Sequence, residues 1–269
     1  MRLTWATDIH LNFVSADHAR DVFCSSIRDS RPDAIAITGD IAEAPTVRDW
    51  LTLLADALAP TPIYFVLGNH DYYHGSIPRV RKEMADLNRA DPRLRWMGEG
   101  GAVFLDNNLA VVGHGGWGDA RLGDFMTTTI RINDHRLIKE LCGLPRENLM
   151  MWLQNLGQEG ARSLQASIQK AIDGGAWRII VLTHVPPFQE TCWHEGATPA
   201  DDSPWLPDFT CGAVGDMLMA VATKHPDIDF QVLCGHSHGA GIAQMADNLT
   251  VRTGGAEYRA PAIADVLTF

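Results

Sequence analysis

Five short clusters in this chain carry side chains that bind metals: Asp8 and His10, Asp40, Asn69-His70-Asp71, His184, and His236 with His238. Each follows directly on an apolar run, namely Leu3-Thr4-Trp5-Ala6-Thr7, Ala34-Ile35-Ala36-Ile37-Thr38, Ile63-Tyr64-Phe65-Val66-Leu67, Arg178-Ile179-Ile180-Val181-Leu182 and Phe230-Gln231-Val232-Leu233-Cys234. Imidazole nitrogen mixed with carboxylate and amide oxygen suits a first-row divalent ion such as Mn, Fe or Zn, and the thiolates of a structural zinc site are missing. Cys234 is the one sulfur close by in sequence, and it belongs to its strand. Taken singly the clusters say little: Asp-x-His and Gly-Asp arise by chance, and a lone Thr-His after a strand is more often structural. Gly235-His236-Ser237-His238 is more specific, and Gly68-Asn69-His70-Asp71 more so again. Five in succession, each at the end of an apolar run, read as one site.

The elements that must position these residues alternate. Ser15 is placed to cap a helix carrying Ala19, Val22, Phe23 and Ile27 on one face. Pro32 ends it before the strand 34–38. A second helix opens at Thr46 and carries Val47, Trp50, Leu51, Leu54 and Leu58, with Pro60 and Pro62 ahead of the next strand. This strand–helix rhythm predicts an α/β core of parallel, buried strands. Ligands of open α/β sheets bind beyond the carboxyl ends of the strands, so all five clusters are expected to converge. After Gly68 the pattern loosens. A helix is expected over 77–87, then a hairpin turning at Asp106-Asn107-Asn108. The stretch 114–148 has no clear period and is expected to form a cap or insertion within about 114–157. Helical sequence over 149–172 has Gly157 and Gly160 as expected breaks. A long loop, 185–211, is expected to border the site. A helix over 213–224 follows, and the runs 249–253 and 263–269 are expected as strands of an antiparallel second sheet.

Composition sets the bounds. At 269 residues and 46% hydrophobic content the chain can bury the core of a single large domain over 1–269. No apolar stretch approaches the ~20 residues of a membrane-spanning helix, and strand-like sequence follows Met1 too closely for a cleavable signal peptide. Five cysteines without a CxxC spacing read as reduced thiols, so a cytoplasmic protein is expected. A net charge of −11 disfavours a long nucleic acid as partner. It leaves a small anionic substrate open if the site itself is locally cationic.

The order D-x-H, G-D, G-N-H-D, H, G-H-x-H resembles the signature of the calcineurin-like metallophosphoesterases, and from Asp8 to His238 it covers most of the chain. The resemblance implies a four-layer α-β-β-α sandwich, two mixed sheets flanked by helices, with a dinuclear metal centre on one edge. It implies that Asp8, His10 and His238 hold one ion, that Asn69, His184 and His236 hold the other, and that Asp40 bridges them. His70 is then left free for the substrate, with Asp71 orienting its ring. Two divalent ions bring four positive charges and the carboxylates of Asp8 and Asp40 cancel two, so the centre can recruit a phosphate ester into an acidic protein. The implied reaction is direct attack of an activated water on a small phosphoester, with no covalent enzyme intermediate and with His70 at the departing oxygen. A phosphodiester is favoured. A phosphomonoester, a nucleotide pyrophosphate bond and a non-catalytic scaffold on the same fold are the alternatives, although no expected ligand is missing.

The branches of the family differ at visible positions. Protein phosphatases carry G-D-x-V-D-R-G and G-N-H-E, where this chain has Gly39-Asp40-Ile41-Ala42-Glu43-Ala44-Pro45 and Gly-Asn-His-Asp. Purple acid phosphatases have a tyrosine where Glu43 stands, and lipid A-pathway hydrolases an arginine where His70 stands. What remains resembles the compact bacterial phosphodiesterases. His74, His114, Trp193 and His194 are the expected substrate contacts outside the motifs, with Trp205 as a further aromatic of the long loop.

Overall fold

The computed structural model describes residues 1–269. In chain order the strands are β1 (Arg2–Ala6), β2 (Ala34–Thr38), β3 (Ile63–Val66), β4 (Leu94–Trp96), β5 (Val103–Phe104), β6 (Leu109–Gly113), β7 (Arg178–Leu182), β8 (Asp229–Cys234), β9 (Gly241–Ala246), β10 (Leu249–Thr253) and β11 (Asp265–Thr268). The main helices are α1 (residues 16–29, with a π-type turn over Ala19–Phe23), α2 (Val47–Ala57), α3 (Ile77–Ala90), α4 (Arg146–Asp173) and α5 (Gly212–Lys224).

The strands form two mixed sheets. The first runs β11-β1-β2-β3-β4, parallel except for β11, and the second runs β5-β6-β7-β8-β10-β9, parallel except for its outer strands. Alternate residues of each strand point to opposite faces. Leu3, Trp5, Ala34, Ala36, Tyr64 and Val66 therefore meet Leu109, Val111, Ile180, Leu182 and Leu233 between the sheets. The intervening residues Ile35, Ile37, Ile63 and Phe65 face outward under α1, α2 and α3, through Phe23, Ile27, Leu51, Leu54, Val80 and Met84. Ala110, Val112, Ile179, Val181 and Val232 face α4 and α5 through Leu164, Ile168, Val214 and Leu218. The result is the four-layer α-β-β-α sandwich, with two outer cores and one inner core.

Register turns this layering into a site. Ala6, Ile37 and Phe65 lie in one row of the first sheet, and Leu182 and Leu233 share a row of the second. Two to four residues beyond these rows the chain reaches Asp8, Asp40 and Asn69 on one side, and His184 and His236 on the other. Both sheets present their carboxyl ends to the same edge.

Two expectations about the elements are corrected. The helix α4 is continuous from Arg146 to Asp173. Gly157 and Gly160 do not break it, because they let it lie close on the turn beside it: a Cβ at Gly157 would sit 2.5 Å from Asp119 Cβ, and one at Gly160 would sit 3.0 Å from His114 Nδ1. The last run also goes elsewhere than expected. β11 pairs antiparallel with β1 in the first sheet, and the strand antiparallel to β10 is β9. The β9 segment alternates partly buried and exposed residues at an outer edge, so its apolar signal is weak.

Candidate metal centre

The centre is built from loops that leave the strands in an unfavourable backbone conformation. Asp8, His10, Asp40, His236 and His238 all have left-handed φ values, between 40° and 69°. Such geometry costs a non-glycine residue about 1–3 kcal/mol, and it persists where the surroundings impose it. Here the surroundings are largely one another. The backbone N–H of Asp8 donates to Gly39 O, that of His10 to Asp40 O, and that of Leu11 to Ile41 O. The Asp8 carboxylate accepts the His236 N–H at 3.0 Å and the Thr7 hydroxyl at 2.6 Å, which ties β1 to β8 across the two sheets.

Three donor atoms on one side of this cup face one another without a proton between them. His184 Nδ1 donates to Thr38 O at 2.8 Å, which leaves Nε2 as a lone pair. His236 Nε2 donates to Asp208 O at 3.1 Å, which leaves Nδ1 as a lone pair. The Asn69 amide nitrogen donates to Asp134 Oδ1 at 2.7 Å and to Tyr73 Oη at 3.0 Å, so Asn69 Oδ1 points the other way. Asn69 Oδ1 then lies 3.1 Å from His184 Nε2 and 3.0 Å from His236 Nδ1, those two nitrogens are 3.2 Å apart, and Asp40 Oδ1 is 3.3 Å from His184 Nε2. Bonds of ~2.1 Å to a first-row ion place neighbouring ligand atoms ~3.0 Å apart at right angles and ~3.4 Å apart in a tetrahedron. The ring of lone pairs has those edge lengths, and a cation at its middle relieves the repulsion.

On the other side, donor atoms of Asp8, His10, Asp40 and His238 all lie within 4.8 Å of one another and form a group able to hold a metal ion. His10 Nε2 is 3.3 Å from His238 Nε2 and 3.8 Å from Asp40 Oδ2, and His238 Nε2 is 3.5 Å from Asp8 Oδ1. The buried His10 Nδ1 has no hydrogen-bond partner.

Charge tells the same story. Burial pushes His10 down to about 4 and His236 down to about 3, so both imidazoles are held neutral, the form that binds a metal. Burial, reinforced by the carboxylates of Asp8 and Asp71, pushes Asp40 well above the ordinary carboxylate range. Burial also opposes ionisation of Asp8, but His184, His238 and His10 outweigh it and hold Asp8 below that range. His238 goes the other way: although burial opposes its charge, the Asp8 carboxylate beside it, with Asp40, raises it above its ordinary value. Carboxylates interleaved with imidazoles in this way make a donor set that fits divalent metal. Gly68 makes room for it: a Cβ there would overlap the Asp40 carboxylate, and its φ is not left-handed, so space rather than backbone freedom demands the glycine.

The calcineurin-like phosphoesterase family matches residues 1–240. This chain belongs to that family. The family is one of phosphoesterases, and the Asp8, His10, Asp40 and His238 group of this chain is able to hold a metal ion. Among curated proteins it is 27% identical over 111 residues to the uncharacterized metallophosphoesterase Cj0846 of Campylobacter jejuni; the match spans 40% of this chain and 26% of that relative, about a quarter of its length. The fold is similar to a dimetal phosphatase from Danio rerio (TM-score 0.59, 14% identity, 97% of this chain and 89% of the other). It is also similar to the protein TT1561 of Thermus thermophilus (TM-score 0.53, 16% identity, 94% and 88%) and to GAP50, the anchor in the inner membrane complex of Plasmodium (TM-score 0.52, 12% identity, 100% and 77%). No helix of the phosphoesterase is long and apolar enough to cross a membrane.

All eight strand-end residues converge as expected: Asp8, His10, Asp40, Asn69, His70, His184, His236 and His238. The expectation for Asp71 is corrected. Its carboxylate does not touch His70; it accepts the backbone N–H groups of Ile41 and Ala42 at 2.9 Å and of Gly68 at 2.8 Å. It pins the loop that carries Asp40. His70 is held instead by its ring, stacked on Tyr73 at 4.2 Å and edge-on to His10 at 4.6 Å.

None of the four substrate contacts expected outside the motifs lines the two clefts beside His70. His114 is buried, accepts the Gly116 N–H on Nδ1 at 3.1 Å, and packs under α4. His74 is half exposed and turns to Glu43, 3.8 Å away, lining a groove with Arg79, Glu83 and Arg136. Trp193 packs against Gly239 and Gly241, and His194 lies behind Trp205 and Phe209. Trp205 does line the cleft, together with Phe209, Arg131, Tyr73 and Tyr258. Tyr258 was not expected: its half-exposed ring lies 4.5 Å from His10 and 5.0 Å from His238. Asp134 was not expected either. Both come from segments without apolar periodicity, so the sequence carried no signal for them beyond residue type.

Proposed function

We propose that this phosphoesterase hydrolyses a small phosphodiester at a dinuclear centre. Asp8, His10 and His238 would hold one divalent ion and Asn69, His184 and His236 the other, with the Asp40 carboxylate lying between the two groups. The observation that carries this reading is the ring of proton-free donors, Asn69 Oδ1, His184 Nε2 and His236 Nδ1, closed by Asp40 Oδ1. When bound, two such ions supply Lewis acidity to phosphoryl oxygens and lower the pKa of water. The mixed nitrogen and oxygen donors suit Mn, Fe or Zn.

The chain's own residues do the rest. His70 lies beside the ring of donors but outside it, with Nε2 3.8 Å from Asp40 Oδ2 and a buried Nδ1 that has no partner. Its stacking on Tyr73 fixes the imidazole plane, so an N–H can be presented to the departing ester oxygen. Preference for a diester rests on the space around it. Two clefts, of about 250 and 330 Å³, share His70, Tyr73, Asn133 and Tyr258. Trp205, Phe209 and Arg131 wall one, and Phe13, Leu137 and Arg259 wall the other. A phosphorus atom at their junction can send one substituent into each, whereas a monoester fills only one. Aromatic walls with one arginine apiece, offset in the second cleft by Glu43, suit small nucleoside or glycerol-type arms better than a long nucleic acid. Five unpaired cysteines fit a reducing, cytoplasmic compartment and the compact bacterial phosphodiesterase branch.

The test is hydrolysis of bis-p-nitrophenyl phosphate against p-nitrophenyl phosphate by chelated protein resupplied with Mn, Fe, Zn or Ni. Metal-restored hydrolysis that prefers the diester is the expected result. Preference for the monoester would overturn the diester assignment. Metal binding with no hydrolysis of either ester would favour a non-catalytic scaffold.

A further inference from the structure

No motif covers the stretch between Gly118 and Pro145, yet one helical turn there, Asp134–Leu137, reaches two donors of the centre. Asp134 is buried, and its Oδ1 accepts the Asn69 amide at 2.7 Å and the Tyr73 hydroxyl at 2.7 Å, while Tyr73 Oη also accepts from Asn69 Nδ2 at 3.0 Å. The next residue, His135, is buried too, with Nε2 3.0 Å from Asp208 Oδ1. Asp208 in turn receives His236 Nε2 on its backbone carbonyl. Two consecutive residues thus stand behind Asn69 and His236, two donors of the same ring.

The consequence lies in how an asparagine can fail as a ligand. Its amide oxygen and nitrogen are nearly the same size, so the group can turn over with little steric penalty. Turned over, Asn69 would donate N–H groups to the lone pairs of His184 and His236, and the ring would close on hydrogen bonds with no metal in it. That conformer is a competitor of metal binding. A carboxylate placed behind the amide removes it, because an ionised carboxylate accepts only and would meet the turned amide oxygen with repulsion. Breaking a buried charged acceptor away from its donor is costly, so the choice is strongly enforced.

We propose that Asp134 and His135 are positioning residues for the metal centre: Asp134 holds the Asn69 amide oxygen toward the ring, and His135 holds His236 through Asp208. This rests on the reading of Asn69 and His236 as ligands of one ion.

The experiment is Mn(II) titration of chelated full-length protein by calorimetry and by the paramagnetic signal of free Mn(II). Wild type is expected to take two ions. Asp134→Ala is expected to weaken one site about 10–100-fold, the range for losing an outer-shell partner, and to leave the other unchanged. Asp134→Asn keeps an oxygen that can accept from Asn69 and Tyr73 but adds an N–H that can donate to the turned amide, so it is expected to weaken the site less than Asp134→Ala without restoring wild-type affinity. His135→Ala is expected to weaken the same site as Asp134→Ala, and His135→Gln, which keeps a donor for Asp208, to weaken it less. Unchanged affinity at both sites in Asp134→Ala overturns the proposal, as does Asp134→Asn being as weak as Asp134→Ala. If Asp134→Ala does not fold, asparagine-labelled wild type decides. The Asn69 side-chain amide protons should be protected from solvent exchange in the metal-free protein and close to Tyr73, and rapid exchange overturns the proposal. Failure of wild type to bind two ions would instead strike the proposed function, which the amide-exchange result does not touch.

Discussion

The two halves of the centre are built differently. On the Asn69, His184 and His236 side every donor is fixed from behind by a protein partner: Asp134 and Tyr73, the Thr38 carbonyl, and the Asp208 carbonyl. On the Asp8, His10 and His238 side only the carboxylate is so fixed. His10 Nδ1 is buried without a partner, and His238 is a quarter exposed beneath the ring of Tyr258. One half is a preformed cup and the other a cup with loose walls at the mouth of the cleft. Rigid positioning of outer-shell partners raises metal affinity, so the halves should differ in how firmly they hold an ion. The looser half, next to open space, is the one placed to change its contacts as substrate enters.

Perturbations that cut across this contrast should have effects in a definite order. The largest comes from Asp40→Ala, which removes the carboxylate common to both halves; elemental analysis should show both ions lost and phosphoester hydrolysis at background. His70→Ala leaves both halves intact, so it should retain two ions while turnover falls roughly 10²–10⁴-fold, as expected for loss of a general acid or its equivalent. Full occupancy with an unchanged rate would remove His70 from the reaction. Timed removal of metal by a chelator should be biphasic, with the Asp8, His10 and His238 ion leaving first and affinities separated by about 10–100-fold. A single phase would mean that the two halves are equivalent. Asp71→Asn replaces an acceptor of three backbone N–H groups and should destabilise the fold by about 2–3 kcal/mol in denaturant titration. Turnover per bound metal pair should stay near wild type, because Asp71 serves the Asp40 loop rather than His70. The smallest effect is expected from Tyr258→Ala, a rise in KM of a few fold with kcat little changed, read by steady-state kinetics.

Much of this architecture is written locally. Asp8, Asp40, Asn69, His184 and His236 could be placed together because each ends a buried apolar run, and parallel strands deliver their carboxyl ends to one edge. Asp71 shows where adjacency misleads. His70–Tyr72 is a 3-10 turn, in which successive side chains diverge by ~120°, so the imidazole faces the cleft while the next carboxylate faces the Asp40 loop. The glycines of α4 show a second limit. Gly157 and Gly160 weaken helix propensity, but close packing on Asp119 and His114 requires small residues there, and tertiary contact overrides the local preference. Asp119 itself accepts the Gly212 and Ala213 N–H groups at the start of α5. Asp134 and Tyr258 stayed hidden because irregular chain has no period from which to infer a neighbour.

The tie between Asp8 and the His236 N–H also constrains the order of assembly. The two residues are 228 positions apart, and β1 receives its outer neighbour β11 only from residues 265–268. During synthesis β1 emerges long before β8, so the Asp8 carboxylate waits for 228 further residues before the His236 N–H exists. Closing such long loops is slow relative to forming local helices. The metal centre is therefore among the last parts to form, and an ion captured early by His10 or Asp40 alone would sit in an incomplete shell. Metal added during refolding should enter late, after the helices have formed, which makes its uptake a clock for completion of the fold.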